Sequence, residues 1–293
     1  MKRILLIGSE GQLGTALVKY LLYYKNFYHL NKKQLDVTIV NNLNFEINKI
    51  DPEIIINCVA YTDVRGSEKD IIQTELLNVS YIKNLCDLCL LRNIKLIHFS
   101  SDYIFDGRNK IAYTEQDNAN PLNNYGLSKL NGDLYIENNL NDYIIIRCSW
   151  LYSGTNNCFL SKIYANILLD KNFPVDNNSI GNPTFIGDLV DVVIIFLKNL
   201  DKGTDLRGTF NFCSKPSTTW YNFAVKFYEF LTENKHLKNE IFISPNNCIE
   251  DEIVIRPLNS TLNISKINKA LNLKNYLWVN SFPQVIKNIN HEK

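Results

Sequence analysis

No apolar run in this 293-residue chain is long enough to cross a bilayer. Stretches such as Ile54-Ile55-Ile56 and Asp191 to Leu197 fall well short of the roughly 20 residues a membrane helix needs. The apolar start, Ile4-Leu5-Leu6-Ile7, breaks off at Gly8 and reads as a first strand, not as a signal peptide. An excess of one charge is missing too. With 31 Lys and Arg against 30 Asp and Glu, the chain lacks the basic surplus of a nucleic-acid binder, so anionic ligands must be held by local devices. The four histidines, His29, His98, His236 and His291, show no metal-ligand spacing, and no metal site is expected. His98 lies within an apolar strand and reads as a core group. Seven cysteines do not make a disulfide framework. The formal C-x-x-C of Cys86 and Cys89 falls in an apolar helical stretch and reads as two buried thiols, which places the chain in a reducing cytoplasm.

What is present is ordinary globular composition, 45% hydrophobic and 21% charged, in a chain longer than one typical domain. Strand-like runs at Arg3–Ile7, Phe27–Leu30, Ile54–Asn57, Leu96–Phe99 and Tyr143–Arg147 alternate with helical patterns, the clearest at Gln12–Tyr24 and Ile71–Leu91. Such alternation predicts βαβ crossovers and a Rossmann-type, doubly wound parallel α/β sheet. Beyond Trp150 the rhythm loosens. A helix is expected near Phe159–Leu169, a Pro/Asn-rich stretch at Pro174–Pro183, a helix at Ile186–Lys198 and a strand at Thr209–Phe212. Ser217-Thr218-Thr219 would cap a further helix carrying Trp220, Phe223 and Phe227. The expected organisation is a dinucleotide-binding domain over 1–150, rejoined by roughly 186–222, under a smaller interleaved C-terminal substrate-binding lobe formed by 151–185 and 223–293. The last residues, Asn288–Lys293, read as a frayed polar tail.

The first strand runs into Gly8-Ser9-Glu10-Gly11-Gln12-Leu13-Gly14, a G-x-x-G-x-x-G loop opening a helix. Glycines allow close backbone approach and the helix N-terminus offers amides to a pyrophosphate, so this context points to a dinucleotide. At the end of the second strand, where an acid would bind the ribose of NAD, the chain has Asn31-Lys32-Lys33. Two lysines there favour NADP(H) and leave NAD(H) open, with a solvated turn as the plainer reading. Asp36 lies beside the adenine position or caps a helix. Tyr125-Gly126-Leu127-Ser128-Lys129 sets a phenol and an ammonium on one helical face, and a nearby cation would make proton exchange by a phenol practical at neutral pH. Ahead of it, Ser100 and Ser101 end a strand, and alternation leaves open which hydroxyl faces a ligand.

Taken together these residues resemble the extended short-chain dehydrogenase/reductases, and more narrowly the dTDP-4-dehydrorhamnose reductase family. The resemblance runs on through Asp51 to Asn57, Ala60-Tyr61-Thr62, Ser100 to Gly107, Pro121 to Lys129, Arg147 to Tyr152, Gly181 to Thr184, Thr218-Thr219-Trp220 and Arg256 to Ser260. It implies reduction of the C4 ketone of a nucleotide-linked 4-keto-6-deoxyhexose for deoxysugar and surface polysaccharide synthesis. Tyr125 would be the proton donor, Lys129 would hold the nicotinamide ribose and lower the Tyr125 pKa, and Ser101 would bond the carbonyl oxygen. The resemblance implies cofactor contacts at Gly8, Gly11, Gln12, Leu13, Gly14, Asn31, Lys32, Asp36, Val37, Cys58, Ala60, Tyr61 and Ser100, as well as at Tyr125 and Lys129. Asp102, Tyr103 and Trp150 would join Ser101 on the sugar nucleotide. Trp150 also reads as core packing. Arg256 reads equally as a diphosphate clamp or as half of a salt bridge.

The chain departs from the family pattern at Val64-Arg65-Gly66-Ser67-Glu68, at Asn177-Asn178-Ser179 and at Ala16, where a glutamate is usual in members that form a metal-assisted dimer. A homodimer stays open. Two other readings stand beside reduction: a non-catalytic dinucleotide-binding regulatory subunit, which would not need Tyr125, Lys129 and Ser101, and an epimerase or dehydratase. A dehydratase would want a carboxylate pair beside the catalytic hydroxyl, whereas a single Asp102 follows Ser101.

Overall fold

Four consecutive apolar residues, Ile4–Ile7, form the buried strand β1, and α1 (Gln12–Leu21) returns the chain toward β2 (Phe27–Leu30). α2 (Val40–Ile50) and β3 (Ile54–Asn57) follow. The computed structural model describes residues 2–155, 158–169, 171–234, 241–247 and 253–291. Where periodicity predicts one helix over Ile71–Leu91, the chain passes from α3 (Ile71–Glu75) through a π-helical turn at Leu76–Ser80 into α4 (Tyr81–Arg92). The wider turn lets Asn78 bond the Tyr61 backbone, donating to its carbonyl (3.0 Å) and accepting from its amide (2.9 Å), and donate to Ser128 Oγ (2.9 Å). The first half ends with β4 (Lys95–Ser101), α5 (Asn124–Asn139) and β5 (Tyr143–Cys148).

The second half adds β6 (Leu151–Tyr152), α6 (Phe159–Leu168), β7 (Phe173–Asp176), β8 (Ile180–Gly181), β9 (Thr184–Phe185), α7 (Ile186–Asp201) and β10 (Gly208–Phe212). After these come β11 (Thr218–Thr219), α8 (Trp220–Glu233), β12 (Ile243–Asn246), α9 (Ser265–Leu271) and α10 (Phe282–His291). The Pro/Asn-rich stretch at Pro174–Pro183 holds short strands, β7 pairing parallel with β12 and β8 antiparallel with β11. These pairings join segments far apart in sequence, so no local pattern announces them. Asn288–His291 are not a frayed tail but the last turn of α10, held where Asn288 Nδ2 donates to the Ser153 carbonyl (2.6 Å) and Ile289 is buried. Lys293, the end of that expected tail, lies outside the described residues.

Six strands form the parallel sheet in the order β2-β1-β3-β4-β5-β10, the doubly wound Rossmann-type arrangement predicted from the sequence. Alternate residues serve opposite faces. Leu6, Ile56, Ile97 and Ile146 pack with α1, α7 and α9, while Leu5, Ile55, Leu96 and Ile145 pack with α2, α4 and α5. A third apolar cluster, with Tyr152, Leu160, Phe223, Phe227, Trp278 and Phe282, lies apart from both and is built from α6, α8 and α10. Strand order reverses between β1 and β3, and such a reversal opens a crevice beyond the carboxyl ends of the strands.

Candidate active site

At that crevice lies a cavity of about 510 Å³ lined by the start of α1, the ends of β3, β4 and β5, and the first two turns of α5. α1 begins after Gly11 without a capping side chain, and Gly11, Gln12 and Leu13 line the cavity. Gly14 lets the helix settle on the turn below it: a Cβ there would overlap the Gly8 carbonyl oxygen. An uncapped helix start at a strand switch point, facing the cavity, fits a pyrophosphate. At the end of β2, Asn31 Oδ1 accepts from the amides of Lys33 and Gln34, and Lys32 and Lys33 are exposed. Asp36 does not cap α2, whose N-cap is Ile39; it accepts from the Thr38 amide and hydroxyl, which hold its carboxyl below the usual range, with Lys32 adding to this.

β4 extends past Phe99 to Ser101, and this settles which hydroxyl faces which way. Ser100 Oγ donates to the buried Asp133 Oδ2 (2.6 Å). Ser101 Oγ donates to Asp102 Oδ1 (3.1 Å), accepts from the Tyr103 amide (3.1 Å) and makes a hydrogen bond with Tyr125. Two devices position Tyr125. Asn123 caps α5 by accepting from the Gly126 amide (2.8 Å), and Glu68 accepts from both the amide (2.7 Å) and side-chain amide (2.9 Å) of Asn124. Gly126 seats the helix against the turn after β4, since a Cβ would overlap the Tyr103 carbonyl oxygen. The Tyr103 and Tyr125 rings meet edge to face at 5.9 Å.

Burial dominates the electrostatics of Tyr125 and Lys129. Burial pushes the Tyr125 phenol above its ordinary value, and the Ser101 hydrogen bond pulls it back. Lys129, 2% exposed, turns its Nζ to the Phe99 carbonyl (2.7 Å) and His98 Nε2 (3.2 Å); burial lowers its pKa against the opposing charge of Asp133. Burial raises the Asp102 carboxyl to about 7, against the Ser260 and Ser101 hydroxyls that hold it down. Between about pH 4 and pH 7 the folded chain therefore carries a proton on Asp102 that the unfolded chain, titrating near ~3.9, lacks. Stability from this group is full below about pH 4 and lost as pH rises through 7. Asp102→Asn is thus expected to gain stability over the parent on the order of 4 kcal/mol between pH 4 and pH 8, read from urea unfolding at both pH values. A pH-independent difference would contradict it.

Trp150 lies at a left-handed backbone position (φ 45°), held by the Thr184 amide donating to its carbonyl (3.1 Å). Its indole stacks on Trp220 at 3.6 Å and 9°, and both line the cavity. Core packing and cavity wall are therefore one arrangement. The exposed Arg256 donates to the Tyr103 hydroxyl (3.0 Å).

Of the sequence-predicted residues, the cavity wall brings together Gly11, Gln12, Leu13, Cys58, Ala60, Ser100, Ser101, Asp102, Tyr103, Tyr125, Lys129 and Trp150. Gly8, Gly14, Asn31, Lys32, Asp36, Val37, Tyr61 and Arg256 stand off it. Trp220, Asn57 and Cys148 line it without having been singled out. Trp220 was read as part of the α8 core face and of the Thr218-Thr219-Trp220 segment of the resemblance, with no site role, since its partner Trp150 lies 70 residues earlier. Burial raises the Cys148 thiol to about 12, so it is a neutral wall. Among the described residues no three His, Cys, Asp or Glu side chains gather to hold a metal ion, and no helix is long and apolar enough to cross a membrane.

The sequence model described as the RmlD substrate binding domain matches residues 1–291. A dTDP-4-dehydrorhamnose reductase of Aggregatibacter actinomycetemcomitans is 30% identical over 99% of this chain and 98% of its own. Among solved structures, a dTDP-4-dehydrorhamnose reductase of Bacillus anthracis in complex with NADP superposes with a TM-score of 0.85 at 27% identity, covering 98% of each chain. One from Clostridium acetobutylicum does so with a TM-score of 0.85 at 30% identity, covering 98% of this chain and 99% of that one.

Proposed function

This chain belongs to the dTDP-4-dehydrorhamnose reductase family, and from that premise we propose that it reduces the C4 ketone of a dTDP-linked 4-keto-6-deoxyhexose with NADPH, NADH being the lesser cofactor. The observation that carries the reading is the convergence of Ser101, Tyr125 and Lys129 on one cavity with the uncapped start of α1. A bound reduced nicotinamide supplies the hydride. Gly11, Gln12 and Leu13 hold the pyrophosphate, Cys58 and Ala60 border the cofactor, and Lys32 and Lys33 face the 2′-phosphate. Ser101 and Tyr125 donate to the ketone oxygen, and Tyr125 gives up its phenolic proton at that atom. Both donors are aimed where negative charge develops, so they stabilise the transition state more than the ground state. Asp102, Tyr103, Trp150 and Arg256 hold the sugar nucleotide, Arg256 at the diphosphate. Residues 1–150 with roughly 186–222 form the cofactor half, and 151–185 with 223–293 the sugar half. A cytoplasmic homodimer is part of the same proposal, and sedimentation reads its mass.

The test is NADPH oxidation by the purified chain, expected when a dTDP-4-keto-6-deoxyhexose is added and absent without it. Tight cofactor binding with no turnover on a panel of such sugars would replace this reading by the regulatory one. Sugar conversion without net NADPH consumption would replace it by epimerase or dehydratase chemistry. For cofactor choice, the double variant Lys32→Ala, Lys33→Ala is expected to weaken NADPH roughly tenfold with NADH unchanged, the loss of a charge-assisted phosphate contact. Equal effects on both cofactors would remove the lysines from that role.

A further inference from the structure

Buried behind the cavity, a chain of hydrogen bonds determines which nitrogen of His98 carries a proton. Asn57 Oδ1 lies 3.0 Å from the Val59 amide, which can only donate, and 3.0 Å from the Tyr81 hydroxyl. The oxygen of the Asn57 amide is thereby placed, and its Nδ2 falls on His98 Nδ1 at 3.1 Å. An amide NH2 can only donate, so His98 Nδ1 is the bare nitrogen and the ring proton sits on Nε2. Nε2 lies 3.2 Å from Lys129 Nζ and 3.9 Å from Asp133 Oδ1. An N–H pointing at Nζ bonds only to the amine, whose lone pair accepts it. An N–H of the same amine donates to the Phe99 carbonyl (2.7 Å), and one more stays directed elsewhere.

We propose that His98 is a positioning residue: locked in the Nε2–H tautomer by Asn57 and Tyr81, it donates to Lys129 and so sets that lysine's orientation and protonation. The proposal rests on the catalytic reading of Lys129 given above. From α5 itself, Asp133 favours the ammonium, but its Oδ2 is engaged by Ser100 Oγ (2.6 Å) and by Arg147 Nε of β5 (3.3 Å), whose cation opposes that of Lys129. Arg147 in turn pairs with Glu137 Oε1 (3.4 Å). Cys148 of β5, Cys58 after β3, Tyr81 of α4 and Tyr125 all have raised pKa values and are neutral in the working range. Asp102, after β4, is half-titrated near neutrality. His98 itself is 1% exposed, and burial together with Lys129 holds its pKa well below the ordinary value. The imidazole is therefore a neutral, fixed donor, and the ammonium of Lys129 is the form it disfavours.

The experiment is a long-range 1H–15N correlation spectrum of histidine-labelled protein at neutral pH, with and without NADP+. Four histidines make assignment of His98 practical by its loss in His98→Gln. The expected result is the neutral Nε2–H tautomer in both samples; an Nδ1–H tautomer or an imidazolium overturns the proposal. Asn57→Asp, which replaces the donating amide by an acceptor, is expected to switch the ring to Nδ1–H, and an unswitched ring also overturns it. In kinetics, the basic limb of the kcat/KM–pH profile is expected to move up by about one unit in His98→Gln, whose amide can turn its oxygen to the ammonium. An unmoved limb with turnover intact overturns the control of protonation. A chain that turns over no sugar nucleotide would sink the reductase reading while the spectrum still decides the tautomer.

Discussion

Tyr125→Phe is expected to lower kcat for NADPH-dependent ketone reduction by about 1,000-fold, within the range associated with a positioned proton donor. The ring keeps its edge contact with Tyr103, so the cavity wall should survive and NADPH affinity should change by less than about threefold. What disappears is the proton at the oxygen where charge develops. Ser101 remains as a donor, but it makes other bonds, to Asp102 and the Tyr103 amide, and cannot replace a phenol that gives its proton up. Single-turnover absorbance at 340 nm, with cofactor affinity measured by fluorescence, separates chemistry from binding. A variant with kcat within tenfold of the parent would remove Tyr125 from the donor role.

Arg147→Met is expected to cost about 3–5 kcal/mol, the penalty for stranding a buried charge. Arg147 is 5% exposed and Asp133 is fully buried; the guanidinium Nε lies 3.3 Å from Asp133 Oδ2, which also accepts from Ser100. Methionine fills similar volume but leaves the carboxyl with a hydroxyl and distant cations. Burial already pushes the Asp133 carboxyl up, and Arg147 is the largest opposing influence. The melting temperature should fall by roughly 6–12 °C. Adding Asp133→Asn removes the stranded charge while keeping an acceptor for Ser100, and should restore at least half of the loss. A single variant losing under about 1 kcal/mol, or a double variant no better than the single, would show that the pair is not the anchor it looks like. This network lies directly behind Ser100 and His98, so the same variant should also lower activity before it unfolds the chain.

Both experiments act on groups whose types were legible in the chain and whose partners were not. Strand–glycine–helix order, Tyr125 and Lys129 four apart, and two serines at a strand end are local patterns, and local patterns survive in sequence. The π-helical turn at Leu76–Ser80 was not legible, because it exists to turn Asn78 toward Tyr61 and Ser128, contacts spanning 17 and 50 residues. Nor was the stacking of Trp150 on Trp220 at the cavity wall, which joins segments 70 residues apart. The buried partners of Lys129, the Phe99 carbonyl and His98, were not legible for the same reason. His98, which faces Lys129 of α5, belongs to β4 and looked like an ordinary core residue.

The sequence by itself determined the doubly wound α/β class, through its periodicity, the near-zero charge that leaves anion binding to local devices, and, through motifs such as the glycine loop and the Tyr125/Lys129 pair four apart on one helix, the resemblance to the family. Tertiary structure alone decided that Ser101 and not Ser100 meets Tyr125, that Asp102 holds its proton until about pH 7, and that His98 faces Lys129. Those outcomes depend on which side chains a buried polar group finds across the sheet once water has been excluded, and that choice is made by packing between elements, not by neighbours along the chain.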